Sequence, residues 1–325
     1  MVHKEIPVKI DHRVYARFHE RNNVFGRMLH DPEADYHGIG MYERVKDIVK
    51  EGVEGYTRTD FARVRGAWAV YEHFSKAFRW DDPNTVMDEP LMHRCEIEDK
   101  AEMSRIVKET AITYGACKVG ITEMNEDWLY SHDMKGDPIE VPDGYDHAIV
   151  MLVKMDREAL RHSPSMITAV ENGSSYSKMA FLTGCMAQFI RALGYRAIPM
   201  GNDTALSIPL AVQAGLGDLG RNGLLITPEF GPSVKICKVF TDLPLEHDEP
   251  VDHGIREYCV KCKRCARTCE AGAIQLEDDP SFHTFSKCNN QGILRWAVNM
   301  DECYKFWIEN GGDCSTCITR CPFTK

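Results

Sequence analysis

The chain has 325 residues, 43% of them apolar, enough to bury the cores of about two ordinary domains. Its 39 Lys and Arg against 49 Asp and Glu leave a formal net charge of −10, which argues against nucleic acid as a principal partner. No stretch approaches 18 consecutive apolar residues, so no transmembrane helix is expected. The opening residues, Met1 to Pro7, carry neither the apolar run of a signal peptide nor a twin-arginine motif. A cytoplasmic location is the expectation, with a processed, exported form as the alternative.

Residues 1–97 read as helical and irregular, with clustered charges and the aromatics Phe25, Tyr42, Tyr56, Phe61, Trp68, Tyr71, Phe74, Phe78 and Trp80. Most of these are expected in a core or an interface. From residue 98 a helix and strand rhythm sets in. Glu98–Tyr114 has amphipathic spacing and ends at Gly115, and Ala116–Ile121 reads as a strand. The apolar run His147–Val153 suits a buried strand. Ser174–Leu193 is helical, with Met179, Leu182, Met186, Phe189, Ile190 and Leu193 along one side and Gly194 as its cap. Tyr195–Met200, a short helix Ile208–Ala214, and the strands Leu224–Thr227 and Val234–Phe240 follow. This alternation indicates an α/β (α+β) domain over 98–246, joined by an acidic linker to a cysteine-rich domain over 247–325.

Eight cysteines in that last part carry the strongest chemical signal. Cys259, Cys262, Cys265 and Cys269 form a C-x2-C-x2-C-x3-C run; Cys303, Cys314, Cys317 and Cys321 form a second, closed by Pro322. Bacterial two-cluster ferredoxins use such runs for two 4Fe–4S clusters, the fourth Cys of each run ligating the other cluster. The predicted sets are therefore Cys259, Cys262, Cys265 and Cys321, and Cys269, Cys303, Cys314 and Cys317. Zinc sites space their ligand pairs more widely, and disulfide frameworks belong to short secreted chains. Glu270 stands where the ferredoxin pattern has Pro, and a carboxylate there bears on cluster potential. Of the remaining cysteines, Cys117, Cys185 and Cys237 read as core filler, Cys95 lies in a polar stretch, and Cys288 is the one rival to Cys303.

A pure electron carrier needs only the cysteine module, so the larger domain should hold what receives the electrons. Its clearest motif is Gly215-Leu216-Gly217-Asp-Leu-Gly220-Arg221-Asn222-Gly223. The G-x-G-x-x-G spacing is literal, but a dinucleotide loop follows a strand and opens a helix, and this one does the reverse. What these residues offer is a turn whose backbone amides can approach a flat or phosphate-bearing cofactor.

With these stretches together, the chain resembles the catalytic subunits of cobalamin-dependent reductive dehalogenases. The resemblance is carried by Ala214–Ile236, Val239-Phe-Thr-Asp-Leu-Pro-Leu, both cysteine runs, Glu20-Arg-Asn-Asn-Val-Phe-Gly-Arg, Phe189-Ile-Arg-Ala-Leu-Gly-Tyr and Glu302 to Lys325. It implies a nitroreductase-like fold around a base-off cobalamin, followed by a ferredoxin-like domain whose two 4Fe–4S clusters feed the cobalt. It further implies Tyr176 as proton donor, Lys235 as the cation beside it and Asn202 as a pocket residue, with the 215–223 loop on the cofactor. A phenol with a pKa near 10 is a poor acid unless its anion is stabilised, and an adjacent Lys is expected to lower that pKa. Read from the residues alone, Tyr176 packs at a helix start and Lys235 is a surface cation.

The implied reaction removes halide from an organohalide, with an external electron donor (a ferredoxin, a flavodoxin or a membrane quinol system) and a membrane anchor protein if the chain is exported. Met166, Met179, Met186 and Met200 flank the expected cofactor region, where plain packing explains them equally well. Phe25, Tyr56, Trp68, Trp296 and Trp307 are candidate walls for a substrate pocket, and His162 is not expected to ligate cobalt. The alternatives are an epoxyqueuosine-reductase-like enzyme acting on tRNA, which predicts a basic face and a carboxylate donor, and a cobalamin-handling electron-transfer protein.

Overall fold

Asn23 caps α1 (Val24–His30) by accepting from the Gly26 amide at 2.9 Å, and α2 (Val45–Ile48) and α3 (Arg58–Phe74) follow it. The computed structural model describes residues 8–49, 52–74 and 94–325. Phe78 and Trp80, and the opening Met1–Pro7, lie outside the described residues.

The central domain starts at α4 (Lys100–Thr113), whose first amides donate to the Asp99 carboxylate. It continues through β1 (Lys118–Glu123), β2 (His147–Lys154), α5 (Arg157–Leu160) and α6 (Met166–Ala192). Then come β3 (Ala197–Met200), α7 (Ser207–Gln213), the short strands β4 (Asp218–Leu219) and β5 (Leu225–Ile226), and β6 (Val234–Thr241). The main sheet has the order β1-β2-β6-β3 with antiparallel pairing throughout, and β4 pairs with β5 as a separate hairpin.

Side chains alternate across a strand, so the sheet builds two cores. Ala148, Val150 and Leu152 of β2 join Ile236 and Phe240 of β6 on the face covered by Leu210, Ala211 and Val212 of α7. Ile149, Met151 and Val153 join Cys237 and Val239 on the other face, under Met179, Leu182, Met186 and Ile190 of α6. Lys235 and Lys238, three residues apart in β6, therefore project to opposite faces.

The helix α6 begins eight residues before the predicted Ser174, at a Ser165 cap whose hydroxyl accepts from the Ile167 amide at 3.3 Å. Gly173, Ser174 and Ser175 have weak helix propensity. Tertiary packing overrides it: α3 lies along α6, and a Cβ on Gly173 would collide with the Trp68 ring. Tyr176 is consequently mid-helix rather than at a helix start.

The cysteine-rich part holds α8 (Ile255–Cys262), α9 (Arg264–Arg267), α10 (Met300–Asn310) and α11 (Thr316–Thr319). Among the described residues, no helix is long and apolar enough to cross a membrane.

Candidate active site and cluster region

The Asn202 side-chain amide, in the loop after β3, donates a hydrogen bond to the Tyr176 hydroxyl on α6. Tyr176 is half-buried on α6, and Asn202, on the loop, is exposed. Trp68 stacks on the Tyr176 ring with centroids 5.0 Å apart, and Tyr71 meets it edge-on at 5.2 Å. The Lys235 ammonium lies 5.0 Å from the centre of the same ring. The three residues expected to act together are thus brought together.

Their electrostatics differ from the expectation. The Tyr176 pKa is raised, by burial first and then by Tyr71 and Asp313, with the Asn202 bond opposing. Lys235 lies over the ring face rather than at the oxygen, so it does not pull the phenol down as a partner of the hydroxyl would. Burial lowers the Lys235 pKa, against the attraction of Asp313, Glu171 and Cys317. Asp313 is itself buried; one carboxylate oxygen accepts from the Asn172 amide and the other has no partner.

Trp68 Nε1 and Ser233 Oγ are likewise buried without partners. Trp68 stacks on Tyr176, Ser233 stands two residues before Lys235 in the chain, and Asp313 acts on both Tyr176 and Lys235. Buried polar groups left unpaired are uncommon, and a group of them marks a place where a ligand completes the bonding. The residues around Tyr176 therefore fit a ligand with both flat and polar surfaces.

The cysteines fall into two groups. Cys259, Cys262, Cys265 and Cys321 line one cavity, together with Arg221, Asn222, Tyr258 and Lys263. The Cys303 thiol is pushed up by burial and then by Cys269 and Cys314, and that of Cys317 by burial and then by Cys303, Cys314, Cys265 and Cys269. Each grouping takes members from both runs, as the crossed pattern requires. Cys288 is held elsewhere, 3.6 Å from both the Arg27 guanidinium and the Asp301 carboxylate. The second group lies toward the Tyr176 site: Cys314 is 3.7 Å from Ser163 Oγ, and Cys317 acts on Lys235. Among the described residues, no three His, Cys, Asp or Glu side chains close tightly enough to hold a single metal ion.

The glycines of the 215–223 loop face this chain's own atoms. A Cβ on Gly215 would lie 2.6 Å from the Glu249 carbonyl, one on Gly217 would overlap the Ile226 carbonyl, and one on Gly220 the Ile226 side chain. Gly223, at φ 73°, faces Val298, and Leu216 is buried in the core. The space these positions keep clear is filled by this chain's own atoms. Asn222 reaches the Cys317 carbonyl at 3.5 Å, and Arg221 is buried against the α8 end and the segment 275–278. The loop joins the sheet domain to the cysteine-rich part.

Among the other candidates, Met166, Met179, Met186 and Met200 are all packed into apolar cores and His162 is exposed. Of the proposed pocket walls only Trp68 reaches Tyr176. Tyr56 hydrogen-bonds the Pro164 carbonyl at 2.5 Å, Phe25 packs with Tyr304 and Trp307, and Trp296 lies under Arg221. Two participants escaped the sequence reading. Asp313 sits unnoticed inside the second cysteine run. Lys238 is fully buried and donates to Gly201 O at 2.8 Å, Asp203 O at 3.1 Å and Ser207 Oγ at 3.1 Å, bracing the turn that carries Asn202. A lysine within the apolar run Val234–Thr241 was the available signal.

A helix-and-sheet domain with a paired-cysteine module docked on it defines an iron–sulfur redox protein. Residues 258–325 match the 4Fe-4S dicluster domain, and residues 141–245 match the reductive dehalogenase subunit family. The chain is 38% identical to a tetrachloroethene reductive dehalogenase of Desulfitobacterium hafniense, over 83% of this chain and 63% of that one. It superposes on the catabolic reductive dehalogenase NpRdhA with a TM-score of 0.75 at 24% identity, covering 99% of this chain and 44% of the other. A shorter match, 30% identical over 36% of the chain, is to an epoxyqueuosine reductase of Listeria monocytogenes. The chain belongs to the reductive dehalogenase family, and it spans less than two thirds of the length of the dehalogenases it matches.

Proposed function

We propose that this chain carries the catalytic centre of a reductive dehalogenase, converting R–X with two electrons and a proton into R–H and halide, with Tyr176 as the proton donor. The observation that carries this reading is the Tyr176 hydroxyl held by Asn202, with Lys235 over its ring.

A bound base-off cobalamin supplies the strongly reducing cobalt that carbon–halogen cleavage needs, and two 4Fe–4S clusters supply its electrons. The cluster ligands are Cys259, Cys262, Cys265 and Cys321 in an outer set and Cys269, Cys303, Cys314 and Cys317 in an inner set. The outer set lines the cavity beside Tyr258 and Lys263, where an external donor would deliver electrons. Trp68, Ser233 and Asp313 are among the side chains with bonding capacity to offer a ligand. The 215–223 loop serves as the joint that holds the cluster module to that core.

The raised Tyr176 pKa suits the role. Burial keeps the proton on the phenol at neutral pH, so it leaves only for a base as strong as the carbanion produced when halide departs. Asn202 then donates to the phenolate, and a charge-assisted bond is stronger than the neutral one it replaces. The Lys235 cation, already attracted to the ring, gains further when the ring carries negative charge.

The test is anaerobic reconstitution with cobalamin, iron and sulfide, followed by halide release from a panel of aliphatic and aromatic organohalides with a reduced dye as donor. Halide release is expected. Turnover of an epoxyqueuosine-bearing tRNA without halide release from any member of the panel would overturn the proposal.

A further inference from the structure

The Arg221 side chain is 1% exposed, and its guanidinium donates to five carbonyl oxygens. Nε bonds Cys259 O at 3.0 Å; one terminal nitrogen bonds Gln275 O at 2.8 Å and Glu277 O at 2.7 Å; the other bonds Val260 O at 3.2 Å and Asp278 O at 3.4 Å. A guanidinium has five N–H groups, so every donor is used. The cation lies over the Trp296 ring at 4.5 Å and lines the cavity of Cys259, Cys262, Cys265 and Cys321. Among the described residues, no carboxylate stands within ion-pair distance of it, whereas Arg27, also buried, is paired with Asp31 and Asp301.

An arginine needed only to fasten two segments could be neutralised by a carboxylate at lower cost, since a buried charge without a counter-ion is expensive. Here the charge is left whole beside one cysteine group and not the other. Arg cannot lose its proton in this setting, so the charge is constant. Cluster potential responds to nearby charge, and adding an electron to a cluster is easier beside a fixed cation.

We infer that Arg221 is a positioning residue that selectively raises the reduction potential of the cluster held by Cys259, Cys262, Cys265 and Cys321, so that this outer cluster accepts the electron from the external donor. The inference rests on the cluster reading above.

The experiment uses reconstituted holoprotein and the variants Arg221→Gln, Arg221→Met and Arg221→Lys, with iron content measured and both clusters followed by electron paramagnetic resonance during a dye-mediated redox titration. In Arg221→Gln or Arg221→Met, whichever keeps both clusters, the reduced-to-oxidised ratio of one cluster at fixed potential should fall about tenfold, a change of about 59 mV for one electron. The other cluster should change less than about threefold, and Arg221→Lys should keep most of the wild-type ratio. Equal change in both clusters, no change in either, or a Lys variant that shifts as far as Gln would overturn the inference. Loss of the outer cluster from both neutral variants would overturn it in favour of a purely structural role. A wild-type protein that binds fewer than two clusters would instead sink the cluster reading itself.

Discussion

Asn202 donates to the hydroxyl of Tyr176 across a gap of 26 residues, tying the loop after β3 to the middle of α6. The donor points at the atom that becomes negative once its proton is given up. An Asn202→Ala variant should lose the stabilisation of that anion, about 1.5–3 kcal/mol for a hydrogen bond to a charged group. The expected result is a fall of about ten- to a hundredfold in the rate of halide release, with cobalamin and iron content unchanged.

Lys238 braces the same loop from the opposite face of the sheet. Its replacement by Met leaves the Gly201 and Asp203 carbonyls and the Ser207 hydroxyl without their common donor, a cost of about 3 kcal/mol. The thermal midpoint of the reconstituted protein should fall by roughly 5–10 °C.

A pH signature accompanies Lys238. Burial holds its pKa at about 8, below the ordinary 10.5, although Asp203, Cys237 and Glu20 favour the charged form. The unfolded chain therefore binds this proton more tightly than the folded one, and stability rises with pH where the unfolded state binds more protons. Unfolding of the wild-type protein should become harder as pH climbs from about 8 to 10.5, with no further gain from this group above that. Lys238→Met should lack this increment, and equal pH slopes in the two proteins would show that Lys238 does not titrate in this window.

Gly217 keeps the β4–β5 hairpin closed, because a Cβ there would overlap the Ile226 carbonyl, a backbone atom that cannot step aside. Gly217→Ala should destabilise the protein by about 1–3 kcal/mol. Thermal unfolding of the reconstituted variant checks this, and an unchanged midpoint would mean that the loop is looser than its packing indicates.

The two cysteine groups predict crossed ligation. Cys259→Ser and Cys321→Ser, 62 positions apart, should deplete the same cluster signal, and Cys303→Ser the other. Cys288→Ser should leave both intact. A Cys321→Ser protein that loses the signal lost in Cys303→Ser would reverse the pairing.

Elements with a strong local signal were legible in the sequence. The apolar run His147–Val153 became β2, and the amphipathic stretch Glu98–Tyr114 became α4, Lys100–Thr113. The 4Fe-4S dicluster domain was legible because the spacing of its cysteines is itself the chemistry. What could not be read depended on partners distant in the chain. The start of α6 was missed because Gly173 and the two serines after it are helical only against Trp68. The glycines of 215–223 announced close approach without saying to what, and the answer was the chain's own Glu249 and Ile226. Lys235 was expected beside Tyr176; that it stands over the ring face is a detail of strand register and side-chain direction that no spacing encodes.

The account turns on Tyr176 as the acid. In the reconstituted enzyme, Tyr176→Phe retains the ring that stacks on Trp68 and removes only the proton and its oxygen. Halide release with a reduced dye should fall by about a hundredfold or more, the usual worth of a positioned general acid, while cobalamin and iron content stay at wild-type levels. A Tyr176→Phe enzyme that holds its cofactors and dehalogenates at the full rate would contradict the account.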